Sequence, residues 1–320
     1  MRYAAIHGTD LQASTICLGT ATFGSEIASD EAFRIMDAFA DAGGNFIDTA
    51  RVYADWLPNG QGASETTIGN WLRLRGNRQK IILATKGGHP DLKTMHISRM
   101  SREEVGYDIE QSLRRLHTDH IDLYWLHRDD TAIPAADILD MMEGFVSQGT
   151  IRYYGCSNWR VARIKEALSA AKTMGVTGFA GDQPMWSLAQ WKSDAIGDTT
   201  LVQMSPELYE LHKASGLAAI PYSSQAKGFF TKFARDGENI APAMKRRFWN
   251  DSNLARARKV IALAKELDVP VAAIPLAWLA GQPFPTIPII GPRNVTQLKE
   301  SLTAADIVLK PQVVEQLRSI

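Results

Sequence analysis

The strongest constraint on the fold of this chain is a rhythm. Short apolar runs, each bounded by Gly, Asp or Pro, alternate with longer amphipathic segments almost from end to end. Strands are expected at Ile16–Leu18, Phe46–Ile47, Ile81–Ala84, Ile121–Leu126, Tyr153–Cys156, Phe179–Gly181, Ala218–Ile220 and Ile287–Ile289. Brief, wholly apolar runs of this kind are typical of parallel strands buried on both faces. Successive parallel strands need long crossovers, which the amphipathic segments supply.

Those segments carry helix signals. Ser101-Arg-Glu-Glu104 reads as a capping box, followed by Val105, Ile109, Leu113 and Leu116 on one helical face. Phe33, Met36 and Phe39 form a second stripe, ended by Gly43-Gly44. Ile138, Met142 and Phe145 form a third, closed by Gly149, and Val161, Ile164 and Leu168 a fourth, closed by Gly175. Pro275 falls inside an otherwise helical Val271–Ala280, where a proline removes a hydrogen bond and kinks the helix; Pro270 suits that helix's start.

Eight strand–helix units in 320 residues favour closure into an α/β (β/α)8 TIM barrel forming one domain over residues 1–320. No GxGxxG follows the first strand, so the fingerprint of an open dinucleotide-binding sheet is missing. Tyr3–His7 and Leu11–Ser14 around Gly8-Thr9-Asp10 fit an N-terminal hairpin plugging the barrel bottom. The spacing stretches once, after strand seven, where Gln225 to Asp251 carries Lys227, Lys232, Arg235, Lys245, Arg246 and Arg247 and reads as an extended loop.

Composition narrows the function. The charges balance at 35 Lys and Arg against 35 Asp and Glu, which argues against nucleic acid as the main partner. Two cysteines, Cys17 and Cys156, make no disulfide framework, the N-terminal stretch is too polar for a secretory signal, and no apolar run approaches the roughly 18 residues that span a bilayer. A cytoplasmic protein without a membrane partner is expected. The seven histidines are scattered, with no HExxH and no cysteine cluster, so no metal site is expected.

In a barrel of this kind, residues at the C-terminal ends of the strands face the active-site mouth. Here those ends supply Asp48, Lys86, His127, Ser157-Asn158, Gln183 and Tyr222-Ser223, with Tyr53 five residues beyond Asp48. Charged groups ending apolar strands are costly unless they pair. A tyrosine with its ordinary pKa near 10 holds its proton tightly, and a nearby ammonium such as Lys86 lowers that pKa. Asp48 would keep Lys86 charged, and His127 would orient a carbonyl oxygen or share the proton relay. Such a group donates a proton but no hydride, so a cofactor is required.

These residues resemble the tetrad of the aldo-keto reductase superfamily. Asp48 and Tyr53 stand in a D-T-A-x-x-Y pattern, Lys86 in A-T-K and His127 in L-H. Leu18-Gly-Thr-Ala-Thr-Phe-Gly24 resembles the family's first barrel strand and loop. The resemblance runs from about residue 10 to 305 and implies catalysis by Asp48, Tyr53, Lys86 and His127. It further implies that Ser157, Asn158 and Gln183 hold the nicotinamide carboxamide and that Tyr222 stacks beneath the ring. Ser223, Gln225, Lys227 and Gly228 would cross the pyrophosphate, and Ile290–Glu300 would bind the adenosine half through Gly291, Arg293, Gln297 and Glu300. Gly19, Thr20 and Asp48 complete the implied cofactor set.

The chain departs from the family where a lysine and an arginine grip the 2′-phosphate in some members: here Gly291 and Gln297 stand. Arg293 is the candidate substitute, since a guanidinium suits phosphate. NADPH is therefore the expected cofactor, with NADH kept open.

Phe23, Trp56, His127 and Arg128 are the candidates for the substrate pocket; the other tryptophans read as packing. Arg128 could meet an acidic substrate, and a rim salt bridge to Asp129 or Asp130 is at least as good a reading of it. Ser157-Asn158 could also cap the helix starting near Trp159. The expected activity is NAD(P)H-dependent reduction of aldehydes or ketones, with a small carbonyl compound as the partner molecule. The alternative is a cofactor-binding regulatory subunit with little catalysis.

Overall fold

The computed structural model describes residues 1–58 and 60–320. Eight parallel strands form one sheet: β3 (Cys17–Gly19), β4 (Phe46–Asp48), β5 (Ile82–Gly87), β6 (Ile121–Leu126), β7 (Ile151–Ser157), β8 (Phe179–Gln183), β9 (Ala218–Ala219) and β10 (Ile289–Ile290). From β3 to β9 each pairs with the next strand in sequence, and β10 returns to pair with β3. The ring closes between β9 and β10. Ala219 bridges Thr286, Ile287 donates its N–H to the Ala219 carbonyl at 2.9 Å, and Ile289 donates to Pro221 at 3.0 Å. This is the (β/α)8 barrel that the rhythm predicts, and all eight strands overlap the expected runs.

Strands β1 (Tyr3–Ala5) and β2 (Gln12–Ser14) form the N-terminal antiparallel hairpin. Ile6, Leu11 and Ala13 pack with Phe46, Ile82, Leu123 and Ile287, near the starts of the barrel strands, so the hairpin closes that end. Trp125 fills the interior from β6. Its ring demands glycine opposite: a Cβ on Gly155 would sit 2.5 Å from both the Trp125 ring and the Gly181 carbonyl. The register of β7 on β8 shifts at this point, between Tyr154 and Cys156. A large aromatic against a small residue fills the narrow interior without a void.

The helices end as their sequences specify. Helix Ser29–Asp41 buries Ala32, Ile35, Met36 and Phe39, and the chain leaves it through Gly43 in a left-handed conformation, with Gly44 N donating to the Phe39 carbonyl. Ser101 caps helix Arg102–Leu116 by accepting from Glu104 N at 3.2 Å. The second half of the capping box does not form, because the Glu104 carboxylate accepts from the Ser101 hydroxyl and lies near Arg99.

Two expectations need correction. Pro275 does not kink a helix. The helix runs Ala273–Ala280, so Pro275 lies in its first turn, where backbone N–H groups have no intrahelical acceptor and a missing one costs nothing. The stretch after β9 is not an extended loop but a helical insertion, with helices Phe229–Asp236 and Pro242–Phe248. Phe229, Phe230, Phe233, Ile240, Met244 and Phe248 are all buried, so burial of apolar side chains holds the insertion against the barrel's outer helices.

Candidate active site

The strand ends bring the chemistry together at one mouth. Asp48 is the last residue of β4, Lys86 the fifth of β5, and His127 follows β6 directly. After β4 the chain continues alongside β5, with Thr49 N donating to Ala84 O and Arg51 N to Lys86 O. It then turns, and Tyr53 faces back toward Lys86.

Lys86 is 1% exposed and uses all three ammonium donors: Asp48 Oδ2 at 2.5 Å, the Thr49 carbonyl at 2.7 Å and the Tyr53 hydroxyl at 3.0 Å. Burial works against its charge, but Asp48 and Tyr53 more than reverse this and raise its pKa. Burial also raises the Asp48 pKa, against the pull of Lys86. Asp48 keeps a full set of partners, since Gln183 Nε2 donates to its other oxygen at 2.8 Å. A buried ion pair is tolerable only when its remaining valences are satisfied in this way.

The net effect on Tyr53 differs from the expectation. Burial raises its pKa; Lys86 lowers it, Asp48 raises it again, and the balance lies above the ordinary tyrosine value. Tyr53 is therefore a neutral phenol with its oxygen on an ammonium. Such a group keeps its proton at neutral pH, yet the phenolate left after transfer would rest against a fixed positive charge.

His127 lies edge-on to Tyr53, with ring centroids 6.2 Å apart. Burial first, then His89 and Arg128, hold its pKa well below the usual range, so its imidazole is neutral; its Nδ1 is buried without a partner. Sequence reasoning missed His89, whose ring centroid lies 4.7 Å from that of His127. Its Nδ1 is 2.6 Å from the Pro90 carbonyl, and burial with the nearby Arg128 lowers its pKa to about 4.

Asp108 was missed as well. Wholly buried on helix Arg102–Leu116, it accepts from Gly88 N at 3.0 Å and from both Arg99 terminal nitrogens, and lies 2.9 Å from Arg51 Nε. It ties the turn after Lys86 to the segment leading to Tyr53. Its signal was legible: an aspartate one turn from Val105 and Ser112, beside Ile109, on the face that enters the core.

The remaining expected residues divide into two groups. Asn158, at a left-handed φ of 62°, gathers one corner of the mouth. Its Oδ1 accepts from Tyr222 OH at 2.7 Å and Val202 N at 3.1 Å, while its Nδ2 donates to Ser157 Oγ at 3.0 Å. It does not cap a helix. The next helix begins at Val161 after Arg160, with no side-chain cap. Ser157 Oγ donates to the Gln183 carbonyl. Thr20 spends its hydroxyl on the Asp48 carbonyl and Ser64. Gly19 is required by packing, since a Cβ there would meet Ile289 at 2.5 Å.

The second group is open. Ser223, Lys227 and Gly228 all have positive φ, in a turn where Gln225 Nε2 donates to Ser301 Oγ. Partial burial, then Arg247 and Arg293, lower the Lys227 pKa; Lys232 adds to this and Glu26 opposes it. Arg293 is exposed and pairs with Glu26 at 3.1 Å. Its backbone N–H donates to Gln297 Oε1, and Asn294 caps helix Val295–Leu302 through Gln297 N. Gly291 has open space around it, and Glu300 is half-buried on that helix.

Of the pocket candidates, Trp56 is 49% exposed and edge-on to Tyr53 at 6.5 Å. Phe23 is instead packed in the main apolar cluster, 1% exposed. Arg128 does not pair with Asp129 or Asp130. Its donors go to Thr200 Oγ1, the His127 carbonyl and Asp198 Oδ2, whereas Asp129 pairs with Arg163.

A profile of the aldo/keto reductase family matches residues 15–320. The chain belongs to the aldo/keto reductase family. It is similar to an uncharacterized oxidoreductase, YrpG, of Bacillus subtilis (strain 168), with 32% identity covering 100% of this chain and 96% of that one. It is also similar, at 29% identity over 100% of this chain and 96% of the other, to a probable voltage-gated potassium channel subunit beta of Oryza sativa subsp. japonica. Among solved structures, a thermostable aldo-keto reductase in complex with the inhibitor epalrestat superposes with a TM-score of 0.73 at 24% identity, covering 100% of this chain and 99% of that one; this supports the fold. Family membership places the chain among oxidoreductases. Among the described residues, no group of three or more His, Cys, Asp or Glu could hold a metal, and no helix is long and apolar enough to cross a membrane.

Proposed function

We propose that this aldo/keto reductase reduces aldehydes or ketones with NADPH, NADH being the less favoured donor, and that Tyr53 gives the proton. The observation that carries this reading is the clamp on Lys86, whose third donor reaches Tyr53 OH at 3.0 Å. When bound, the nicotinamide supplies a hydride to the carbonyl carbon. Tyr53 OH protonates the carbonyl oxygen, and Lys86, fixed by Asp48 and Thr49 O, stabilises the phenolate left behind. The neutral His127 orients the carbonyl oxygen toward Tyr53, and Trp56 forms a wall of the pocket. A positioned general acid contributes about 10²–10⁴ in rate.

The residues suit an anionic dinucleotide. Lys227, Lys232, Arg247 and Arg293 share one field, and a phosphate would relieve their mutual repulsion. Asn158, Ser157 and Gln183 would hold the carboxamide, and the Tyr222 ring, tethered through its hydroxyl, would stack beneath the nicotinamide. Arg293 takes the 2′-phosphate by leaving its exposed pair with Glu26, which is worth little in water. We read residues 1–320 as one unit, acting in the cytoplasm, where unpaired Cys17 and Cys156 stay reduced.

The test is the absorbance of NADPH, and separately of NADH, with a panel of aldehydes and ketones that includes methylglyoxal and an aromatic aldehyde. Consumption of cofactor is expected, faster with NADPH. Tight cofactor binding with no consumption across the panel would overturn the reading. It would favour the second one, a cofactor-binding regulatory subunit, which the likeness to the rice channel-subunit protein supports.

A further inference from the structure

Outside the barrel mouth, a cavity of about 350 Å³ opens between the segment after β8, helix Pro206–Ser215, helix Asp251–Glu266 and the C-terminal helix Pro311–Ser319. That volume lies at the lower end of the roughly 300–1,000 Å³ range of small-molecule sites. Trp186, Trp191, Trp278 and Tyr209 make its walls aromatic, with Trp186 packed edge-on against Trp278 at 5.5 Å and against Tyr209 at 6.0 Å.

Charge makes this cavity more than a packing defect. Arg256 lines it and is 4% exposed, yet among the described residues no carboxylate lies within salt-bridge distance of it. Its Nε donates to Leu317 O at 3.1 Å, Nη2 to Arg318 O at 3.1 Å and Nη1 to Asn253 Oδ1 at 3.5 Å. A guanidinium has five N–H donors, so two remain uncommitted. The other charges of the lining are matched: Glu210 lies 3.8 Å from Lys213, and Arg318, over the Tyr209 ring, bonds Glu315. Arg256 is left as a buried cation whose charge is balanced by carbonyl and amide dipoles alone. A buried, unpaired charge is costly, and an anion beside it recovers much of that cost.

We propose that this cavity is a second small-molecule site, for a planar aromatic carboxylate of about two fused rings. The rings stack among Trp186, Trp191 and Tyr209, and the carboxylate takes the two free donors of Arg256, a fork that fits planar oxyanions. A bare inorganic anion would leave the aromatic walls unused. The site is separate from the barrel mouth and independent of the proposed reaction, although Trp186 N donates to the Tyr222 carbonyl at 3.2 Å, so the two share a wall.

The experiment is a calorimetric titration of the full chain with 2-naphthoate, and with 2-naphthamide as its neutral counterpart. Tryptophan emission is followed in parallel, since three tryptophans line the cavity. Naphthoate should bind more tightly than the amide and quench the emission. Loss of a charge-assisted pair in Arg256→Gln should weaken it about 10- to 100-fold. Because Arg256 also anchors the C-terminal helix, Met204→Trp, which fills the cavity from its half-buried rim, serves as the second variant and should abolish binding even where Arg256→Gln fails to fold. Trp56→Ala, at the barrel mouth, should leave it unchanged. Equal binding of acid and amide, naphthoate binding that survives Met204→Trp, or binding lost only in Trp56→Ala would each overturn the proposal.

Discussion

The two sides of the barrel mouth are built on opposite electrostatic principles. On the β4–β6 side, Asp48, Lys86, Thr49 and Tyr53 form a closed chain in which the ammonium uses every donor and the carboxylate accepts on both oxygens. On the side of Ser223–Gly228 and helix Val295–Leu302, cations stand near one another, the exposed Arg293 among them, with Glu26 as a loose counter-charge. The first side is preorganised: its geometry stands without any further group, as catalysis by fixed charges requires. The second side is underneutralised, as a binding surface for an anion is expected to be. Under the proposed function, chemistry would depend on burial in one region, and recognition on unneutralised charge in the other.

That contrast can be broken most directly at Lys86. Lys86→Met leaves Asp48 buried and unpaired, so unfolding free energy should fall by about 3–5 kcal/mol, and turnover by about 10²–10⁴-fold. Chemical denaturation and steady-state assay check the two effects; a variant as stable as the parent would mean the closed chain is not closed. Asp108→Asn comes next. It removes the carboxylate that holds Gly88, Arg99 and Arg51, and should cost about 3 kcal/mol in the same denaturation experiment while leaving cofactor affinity unchanged.

A pH series sharpens the comparison from another side. The folded pKa values of His89 and His127 lie below those of the unfolded chain, so the unfolded state binds more protons between about 6.5 and 4. Both histidines therefore contribute stability that is fully present above pH about 6.5 and is lost as pH falls below it, for His89 toward its folded value of about 4. His89 accounts for at most about 3 kcal/mol of it. His89→Gln should flatten much of that acid slope, and an unchanged slope would remove His89 from the account. The smallest effect is expected on the open side. Glu26→Gln frees Arg293, and because exposed pairs are worth about 0.2–1 kcal/mol, NADPH should bind only about two- to fivefold more tightly at low salt, with NADH unmoved.

The barrel was legible because its signals are local. Parallel strands bury both faces, so each reads as an apolar run, and Gly43, Gly149 and Gly175 mark helix ends at positive φ. Asp48, Lys86 and His127 were legible because a charged residue ending an apolar strand has few places to go. What escaped reading depends on distance or on competing signals. Arg128 finds Asp198 and Thr200 some 70 residues away, on a segment with no periodic pattern. Six cations between Gln225 and Asp251 masked the spacing of Phe229, Phe230 and Phe233, which is that of a buried helical face. The net pKa of Tyr53 was unreadable in principle, because it is a balance between burial and Lys86 that only the packed mouth determines.

The central claim is that Tyr53 gives the proton. It is tested most directly by Tyr53→Phe, which removes one oxygen and leaves the aromatic ring, measured for turnover on a carbonyl that the parent reduces and for cofactor affinity by fluorescence titration. The account predicts turnover down by about 10²–10⁴-fold with cofactor affinity essentially unchanged. Turnover near that of the parent would contradict it and move the proton donor elsewhere in the mouth.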